Sequence, residues 1–565
     1  MKQQGLKKGS MILLFATAIS KILGVIFKIP LTNLLGGAGM GYFSGAYGVF
    51  IPVYIVISAG FPMALTRLVA KNCAERKYKT VRKLRKIATI IFFTMGILGM
   101  VIVLLFSKVL AVKVAKNPDC IYSIMAIAPS LAFCCLAEVE KGYYEGMRNM
   151  YPTAISQVCE GIAKTVLGLA LTVAVFKIGT YQFETTGMVF GRVAYSYDEA
   201  RRVCLPFAAA GAMLGSTLSE IAGLIAVRIK TRFFGDGISK AELECSPPAE
   251  RTTRLVKQLL SISIPLLLGA VISAVSSFLD LATIMHGLSL AVERGSDCFS
   301  ELLSKMSKEE IPNFLYGSYN GLTGTVISFV PIVAGLLSKS ALPTVSARSN
   351  FQSKWQLRRS IESIMEATLI FSVPAGFGIC ALSRQILTLL YPSRLMEVSV
   401  SATPLAIMGI SAVFTSILLP VISMLCAAGK EKEVAWLTVG ETVIRLVLNI
   451  TLIRIPKINI TGAAVSSAVT NIVTVLIALK LLYNAIDADL HFRRIFAFTF
   501  CFSGVSAALI ALTQHWSEKL VGEVKSIIIS AFLGVLCYFS LLFVTKVCKY
   551  ADFKALFPKK HLKKR

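Results

Sequence analysis

Runs of about twenty apolar residues, separated by short polar intervals, follow one another along nearly the whole chain. An α-helix rises 1.5 Å per residue, so a run of about twenty residues crosses the roughly 30 Å hydrocarbon core of a bilayer. The sequence therefore predicts an all-α polytopic membrane protein with about fourteen transmembrane helices. The predicted spans lie near residues 11–29, 45–66, 87–107, 120–140, 153–176, 203–227, 259–283, 318–338, 361–383, 402–427, 434–453, 461–483, 495–513 and 526–545.

The charged residues indicate how the chain is oriented. Hydrophobic residues make up 55% of the 565 residues and charged residues only 16%, yet the net charge is +28. Basic residues concentrate in 67–86 and in the tail 559–565, whereas the loop 293–310 is net acidic. Because cytoplasmic loops carry an excess of Lys and Arg, we expect a bacterial cytoplasmic membrane protein with both termini in the cytoplasm. The positive charge follows this topology and lies against anionic lipid, which argues against a nucleic-acid partner.

Two halves of the chain resemble each other. The segment 211–221 of the sixth span aligns without gaps on 462–472 of the twelfth, and 84–86 matches 357–359. The fifth and eleventh spans carry matching charged pairs, Glu160/Lys164 and Glu441/Arg445. Each repeat holds six helices, so corresponding spans keep the same orientation and the repeat is parallel. Such halves in transporters rock against each other around a central site.

The repeat predicts the domain organisation. We expect an N-terminal lobe, a cytoplasmic linker, a C-terminal lobe, and a terminal two-helix hairpin with a basic cytoplasmic tail. Their bounds are 1–230, 231–256, 257–483 and 484–565, respectively. The linker contains Gly235, Gly237, Pro247 and Pro248 among charged residues, which is typical of a hinge-like connection.

Basic residues in the first two spans are candidate binding residues, because a charge inside a membrane is expensive. Lys21 lies near the middle of the first span, and Lys28 follows two helical turns later on the same face. One interpretation is a cationic stripe that lines a water-filled cavity and attracts an anionic ligand. Alternatively, Lys21 pairs with an acid on another helix and Lys28 snorkels to the outer interface. Arg67, which closes the second span, serves either the same cavity or a positive-inside anchor.

Acidic residues in the spans are candidates for coupling or for structural ion pairs. Asp280, toward the outer end of the seventh span, is a candidate coupling-ion site or the partner of a cation. Glu220 in the sixth span, whose twin is Asn471, is a candidate for proton coupling. In the fifth and eleventh spans, acid and base stand four residues apart, and we expect structural ion pairs of Glu160 with Lys164 and of Glu441 with Arg445.

The eighth span carries polar and aromatic groups. Tyr319 and Asn320 precede an apolar run that ends near Lys339, and such groups can line a sugar path by hydrogen bonding and stacking. They fit an interfacial aromatic belt equally well. The thirteen cysteines show no Cys-x-x-Cys spacing and the four histidines are scattered, so the sequence predicts no metal site and no cofactor.

Several segments resemble a known family when they are taken together. They are SKILG at 20–24, GFPMALTRLVA at 60–70, GYYEGMRN at 142–149, PTAISQVCE at 152–160, AAGAML at 209–214 and YNGLTG at 319–324. The combination resembles the polysaccharide-export proteins, and more specifically the stage V sporulation protein B group. The resemblance extends from about residue 5 to the last span.

This resemblance implies the fold of the multidrug/oligosaccharidyl-lipid/polysaccharide exporters, with two six-helix lobes in a V and spans 1, 2, 7 and 8 lining a cavity. It also implies that the cargo is a sugar on undecaprenyl diphosphate, such as the peptidoglycan precursor lipid II or a polysaccharide repeat unit, moved to the outer leaflet. Where the lipid II flippases carry a second cavity arginine, this sequence has Phe27 with Lys28 beside it. The resemblance therefore supports a flippase more firmly than it supports lipid II as cargo.

Two other functions compete with this one. A cation-coupled drug exporter of the same fold usually takes cationic substrates, whereas the first span here holds two lysines and no acid. A membrane-embedded glycosyltransferase or ligase needs an acidic metal-binding motif or a large domain with a catalytic acid or base. The longest loops have only about thirty residues. We therefore expect a transporter and not an enzyme, with polyprenyl-diphosphate sugars, membrane lipids and cell-wall or polysaccharide synthesis proteins as partners.

Overall fold

The computed structural model of the chain describes residues 6–332, 335, 354–486 and 493–545, and it is nearly all helical. Within these residues, twelve helical stretches are long and apolar enough to cross a membrane. One of them, Met11–Ala74, has 64 residues and contains both of the first two predicted spans. The predicted eighth span continues into residues outside the described part. The all-α polytopic class is confirmed, whereas the count of fourteen helices stays a prediction.

Contacts group the chain into two compact units, and unit 1 comprises Met1–Gly321 and Leu446–Ile460. Its helices are α1 (Leu6–Ala59), α2 (Phe61–Ala74), α3 (Tyr78–Leu105), α4 (Ser107–Val109), α5 (Cys120–Ile127), α6 (Ser130–Gly146), α7 (Tyr151–Thr186), α8 (Tyr197–Phe234), α9 (Lys240–Glu244), α10 (Thr252–Arg294), α11 (Ser300–Leu303) and α12 (Ile311–Ser318). A small antiparallel hairpin of β1 (Met188–Val189) and β2 (Arg192–Val193) joins α7 to α8. Unit 1 includes α10, which the repeat assigns to the second lobe, so the predicted lobe boundaries stay a prediction.

Unit 2 comprises Leu322–Arg445 and Thr461–Arg565. Its helices are α13 (Gly324–Ile327), α14 (Lys354–Ala381), α15 (Ser383–Leu390), α16 (Leu395–Ala427), α17 (Glu431–Leu452), α18 (Thr461–Ile486), α19 (Arg493–Val521) and α20 (Glu523–Val544), the last turns of α17 being grouped with unit 1. A buried apolar core with Met365, Ile417 and Val475 joins α14, α16 and α18. At the turn between α19 and α20, the hydroxyls of Ser517 and Ser526 lie 2.6 Å apart.

Glycine residues let α12 approach α1 very closely. The first predicted span and most of the second lie in the single element α1, which is kinked at Gly36 with φ 64°, a backbone region that favours glycine. Beyond the kink, a Cβ on Gly317 would lie 2.0 Å from the Gly37 carbonyl oxygen and 2.2 Å from the Gly41 nitrogen. The Asn313 side-chain amide donates to the Ala38 carbonyl at 2.8 Å. Small residues at such crossings allow backbones to touch, so this end of unit 1 is tightly packed.

The linker between the predicted lobes is held against α3. Arg82 on α3 donates two hydrogen bonds to the Asp236 carboxylate, at 2.8 and 3.0 Å, and the Tyr143 hydroxyl lies 3.2 Å from the same carboxylate. Further along, the Lys83 ammonium donates to the Glu250 carbonyl at 2.8 Å. The linker also forms α9, which begins with a capping box of Ser239 and Glu242. The segment expected to be hinge-like therefore has defined contacts with unit 1.

Candidate functional site

A cationic site forms where α1 and α7 pack together in unit 1. The half-buried Lys28 of α1 lies close enough to Lys164 of α7 for their charges to interact. The Lys164 ammonium donates to the Tyr47 hydroxyl and lies 4.8 Å from the Tyr47 ring centroid and 5.5 Å from that of Phe27. Two like charges beside aromatic faces, deep in a helical bundle, form an arrangement that favours an anionic ligand. We call Lys28, Lys164 and Tyr47 the lysine site.

The other two predicted basic residues are exposed. Lys21 is exposed on α1, two helical turns before Lys28, and Arg67 is exposed on α2. The neighbouring Thr66 hydroxyl donates to the carbonyl oxygens of Pro62 and Gly142, at 2.9 and 3.1 Å, which fixes α2 against α6. The roles of both cations stay predictions.

A cluster of carboxylates surrounds a buried lysine in the same unit. The Lys141 ammonium on α6 lies 3.2 Å from a Glu138 oxygen and 3.0 Å from a Glu160 oxygen. Glu160 also accepts a hydrogen bond from the Ser156 hydroxyl at 2.6 Å. Glu220 on α8 lies beside the Cys134 thiol and within electrostatic reach of Lys141. We call Glu138, Lys141, Glu160 and Glu220 the Lys141 cluster.

The expected ion pair of the fifth span is replaced by longer-range contacts. Glu160 takes Lys141 as its partner, while Lys164 turns to Tyr47, so the two residues do not pair with each other. The cause is a tertiary contact. Lys141 lies on the neighbouring helix α6, and its ion pair with Glu160 takes the place of the pair that four-residue spacing on one helix predicts. Packing against Gly223, where any Cβ would clash with Glu160, fixes this orientation.

The matching pair in unit 2 forms as expected. Arg445 on α17 lies 2.7 Å from a Glu441 oxygen and 3.5 Å from the Asn471 side-chain oxygen. The Asn471 amide in turn donates to the hydroxyls of Ser411 and Thr415 on α16, both at 2.9 Å. The fourth, fifth and sixth helices of each predicted repeat thus share a polar cluster, which is charged in unit 1 and mostly neutral in unit 2.

Asp280 on α10 contacts polar side chains of unit 1. Its carboxylate accepts a hydrogen bond from the buried Asn449 amide at 2.7 Å, and that amide lies 3.4 Å from the Thr283 hydroxyl. The carboxylate and the Thr283 hydroxyl thus place two oxygens around one amide nitrogen, and carboxylate and hydroxyl oxygens are ligands of the kind that hard cations take. Asp280 therefore remains a candidate coupling residue.

The predicted residues of the eighth span have different surroundings. Tyr319 is buried, and the Asn320 amide, which is half-buried, donates to the Tyr316 carbonyl at 3.4 Å. Both belong to a π-helical turn, Tyr319–Thr323, a distortion that is frequent at functional sites. Lys339 lies outside the described residues. Whether these residues line a sugar path stays a prediction.

Lys164 and Tyr47 are the site residues that the sequence did not single out for binding. Lys164 was assigned to an ion pair because of its spacing from Glu160, and Tyr47 carried no signal beyond its place in an apolar span. Their contact joins residues 117 positions apart. Only the packing of α1 on α7 reveals it.

Comparisons with known proteins agree with this architecture. The sequence profile of the family described as "Polysaccharide biosynthesis protein" matches residues 6–348, which is more than half of the chain. Stage V sporulation protein B of Bacillus subtilis (strain 168) is 22% identical over 371 residues, covering 66% of this chain and 64% of that protein. The chain thus spans slightly less than two thirds of the sporulation protein. The lipid II flippase MurJ of the same strain is 22% identical over 481 residues, covering 83% and 81%.

Solved structures with the same fold include two transporters. The inward closed conformation of the lipid II flippase MurJ has a TM-score of 0.65 at 13% identity, over 95% of this chain and 100% of that chain. An inward-facing multidrug resistance MATE family transporter of the MOP superfamily has a TM-score of 0.58 at 13% identity, over 85% and 98%. These similarities confirm the fold that the resemblance of the sequence implied.

Proposed function

This chain belongs to the polysaccharide biosynthesis protein family, and we propose that it is a flippase for a sugar carried on undecaprenyl diphosphate. The cargo is a peptidoglycan precursor such as lipid II or a polysaccharide repeat unit, and it moves from the inner to the outer leaflet of the cytoplasmic membrane by alternating access. The observation that carries the proposal is the lysine site, where Lys28 and Lys164 place two positive charges beside Tyr47.

The chemistry of the lysine site suits a diphosphate. A diphosphate cannot cross hydrocarbon unaided, because transferring its charges out of water costs many kilocalories per mole. Ammonium groups bind phosphate oxygens as point charges without a fixed fork geometry, so they hold the group and can release it again. Lys21, two turns before Lys28 on α1, and the exposed Arg67 would extend the positive path along which the head group travels.

An apolar cavity in unit 2 supports a role for the lipid tail. It has a volume of about 480 Å³ and lies where α14, α19 and α20 meet, with Phe371, Ile510 and Val535 among its lining residues. Gly378 keeps part of the wall free of side chains, since no atom of another helix lies within 4 Å of where its Cβ would be. A polyprenyl chain is a flexible apolar ligand that can pack against such a wall by van der Waals contact, which is what drives apolar association inside a bilayer. We propose that the tail rests here.

Carboxylates in unit 1 supply candidates for coupling to an ion gradient. Asp280 accepts a hydrogen bond from the Asn449 amide beside the Thr283 hydroxyl, and Glu220 belongs to the Lys141 cluster. Binding of a cation or proton at one of them would favour one of two conformations, which is how a gradient drives alternating access. We propose that both termini lie in the cytoplasm, as the charge distribution predicts.

A cation-coupled drug exporter is the alternative, and the shared fold with the MATE family transporter favours it. Its usual substrates are cations, which the lysine site would repel. The proposed function therefore takes an anionic lipid as cargo, with no reaction catalysed on it.

A leaflet-translocation assay with reconstituted protein tests the proposal. Lipid II, other undecaprenyl-diphosphate sugars and drug cations are offered in parallel, to wild-type protein and to Lys28→Gln and Lys21→Ala variants. We expect transport of at least one diphosphate lipid, and a loss of about tenfold or more in Lys28→Gln, since each charge-assisted hydrogen bond contributes about 1.5–3 kcal/mol. The exposed Lys108 gives a matched control, Lys108→Gln, which should transport normally. Transport of drug cations alone would overturn the proposal.

A further inference from the structure

A second polar pocket lies in unit 1, away from the lysine site, beside the hairpin that joins α7 to α8. The two helices touch closely at Gly179, where a Cβ would lie 2.3 Å from the Cys204 sulfur. Next to this contact opens a cavity of about 420 Å³, bounded by one face of each helix and by Leu34 of α1. We call it the α7–α8 pocket. Its volume matches that of pockets that hold small ligands or lipid head groups.

Two cations and several aromatic rings line the α7–α8 pocket. Lys177 of α7 and Arg201 of α8 both face it, and the Arg201 guanidinium lies 5.8 Å from the Phe176 ring centroid. Among the residues that the structure describes, neither cation forms an ion pair with an acid. A guanidinium that stacks on a ring keeps its N–H donors, which lie in its own plane, available to an oxyanion. The pocket therefore offers two cations that, within the described part of the chain, no carboxylate neutralises through an ion pair.

The position of the α7–α8 pocket along the chain places it at the level of lipid head groups. The apolar runs of the fifth and sixth spans are 153–176 and 203–227, so Lys177 and Arg201 stand just beyond their ends. The exposed Tyr181 and Tyr197 line the same pocket, as is typical of the boundary between lipid and water. In the predicted topology this end lies outside the cell, where the positive-inside rule gives no reason for basic residues.

We propose that the α7–α8 pocket binds the phosphate group of a membrane lipid, with Lys177 and Arg201 as its ligands. The aromatic walls pack against the glycerol or first isoprenoid carbons next to the phosphate, and the acyl or prenyl chain continues into the surrounding bilayer. Glu184, which also lines the pocket, weakens the binding of an anion by repulsion and so favours a singly charged phosphate over a multiply charged one. The site is separate from the lysine site, and its existence does not depend on which cargo the protein carries.

Native mass spectrometry of the full-length protein in detergent tests this inference. Phosphatidylglycerol, undecaprenyl phosphate and diacylglycerol, which has no phosphate, are titrated separately, each with and without excess inorganic phosphate. We expect both phosphate lipids to bind at least about tenfold more tightly than diacylglycerol, and the Lys177→Gln/Arg201→Gln variant to lose that advantage. Arg202→Gln is the matched control, because Arg202 is equally exposed but does not line the pocket, and it should bind as wild type does.

The arms of the experiment also identify the source of the phosphate. Tighter binding of phosphatidylglycerol would indicate that the pocket holds a structural lipid. Tighter binding of undecaprenyl phosphate would indicate a carrier lipid, and complete displacement by inorganic phosphate would indicate that the ligand is a free anion. Glu184→Gln provides a second test that does not depend on the stability of the double variant, and it should bind both phosphate lipids more tightly. Equal retention of phosphate lipids by wild type and the double variant, or unchanged binding by Glu184→Gln, would overturn the assignment.

Discussion

The Lys164 ammonium lies over two aromatic rings and donates to the Tyr47 hydroxyl, so its charge is held in one place and directed away from its own helix. We expect Lys164→Gln to weaken the binding of undecaprenyl diphosphate by about tenfold, because a charge-assisted contact in a site of low dielectric constant is lost. The measurement is the Kd of the purified protein for that lipid. The repeat supplies a matched control in Arg445→Gln, which should leave this Kd unchanged, since Arg445 is paired with Glu441 in unit 2.

Glu140 is a residue whose role is structural. It is 4% exposed, and its carboxylate accepts a hydrogen bond from Arg85 at 2.5 Å, joining α6 to α3. Glu140→Ala leaves the Arg85 guanidinium partly buried without its acid, so we expect a loss of about 3 kcal/mol in unfolding free energy. Thermal unfolding in detergent measures it, with the exposed Glu244→Ala as control. Equal thermal-unfolding midpoints for the two variants would contradict this prediction. They would show that the Tyr143 ring, whose centroid lies 4.8 Å from the Arg85 guanidinium, stabilises that charge without the acid.

At the scale of helices, the crossing of α12 on α1 depends on the absence of a side chain at residue 317. We expect Gly317→Ala to destabilise the protein by about 2–4 kcal/mol, because the new Cβ meets backbone atoms of Gly37 and Gly41 that cannot move independently. Gly321→Ala, on the next turn, is the control, since its Cβ would touch only the flexible Met40 side chain at 3.0 Å or more. Thermal unfolding of both variants decides whether the crossing is as tight as the distances indicate.

The contact between the linker and α3 gives a pH-dependent prediction. Burial alone would raise the pKa of the Asp236 carboxyl, but hydrogen bonds from Arg82, the Ile238 N–H and Tyr143 outweigh it and lower the pKa below its ordinary value. A carboxyl with a lowered pKa in the folded state adds stability above its unfolded pKa of about 4, and loses it as the pH falls through the folded value.

We therefore expect Asp236→Asn to lower the unfolding free energy by about 1 kcal/mol at neutral pH, because one member of the ion pair is partly exposed. The difference from wild type should stay constant between about pH 5 and 7 and shrink below about pH 4. Thermal unfolding across this pH range measures it. The control Asp297→Asn, at an exposed residue, should unfold as wild type does at every pH. If the stability difference between Asp236→Asn and wild type does not change with pH, the linker is held by packing and not by the charge of Asp236.

At the scale of the whole molecule, the sequence predicts most of the fold and one of the three residues of the lysine site. Crossing a bilayer requires only length and hydropathy, and a repeat is visible as aligned residues, so both can be predicted without tertiary contacts. Lys28 was predicted because a lysine in an apolar span is conspicuous. The partners of Lys164 and Glu160 could not be predicted, because they lie on other helices, α1 and α6. The rule that residues four apart pair applies only within one helix.

The two polar clusters of the repeat suggest how the halves have diverged. In unit 2, Asn471 joins Arg445 to two hydroxyls of α16 and carries no charge itself. In unit 1, its twin Glu220 adds a third carboxylate around Lys141. Unit 1 thus has a carboxylate, a group able to carry a proton, at the position where unit 2 has a neutral amide. We propose on this basis that Glu220 is the residue at which a proton gradient acts on one half only.

Glu220→Asn would give unit 1 the residue that unit 2 already carries at the matching position. We expect the variant to fold with a nearly unchanged thermal midpoint, since an asparagine is accommodated in the twin cluster by hydrogen bonds. Stimulation of lipid transport by an imposed proton gradient should be lost, because the proton acceptor is gone while the lysine site remains intact. Asp280→Asn is the comparison: if it loses the stimulation and Glu220→Asn keeps it, the coupling acts at Asp280, and the divergence of the two clusters has no part in transport.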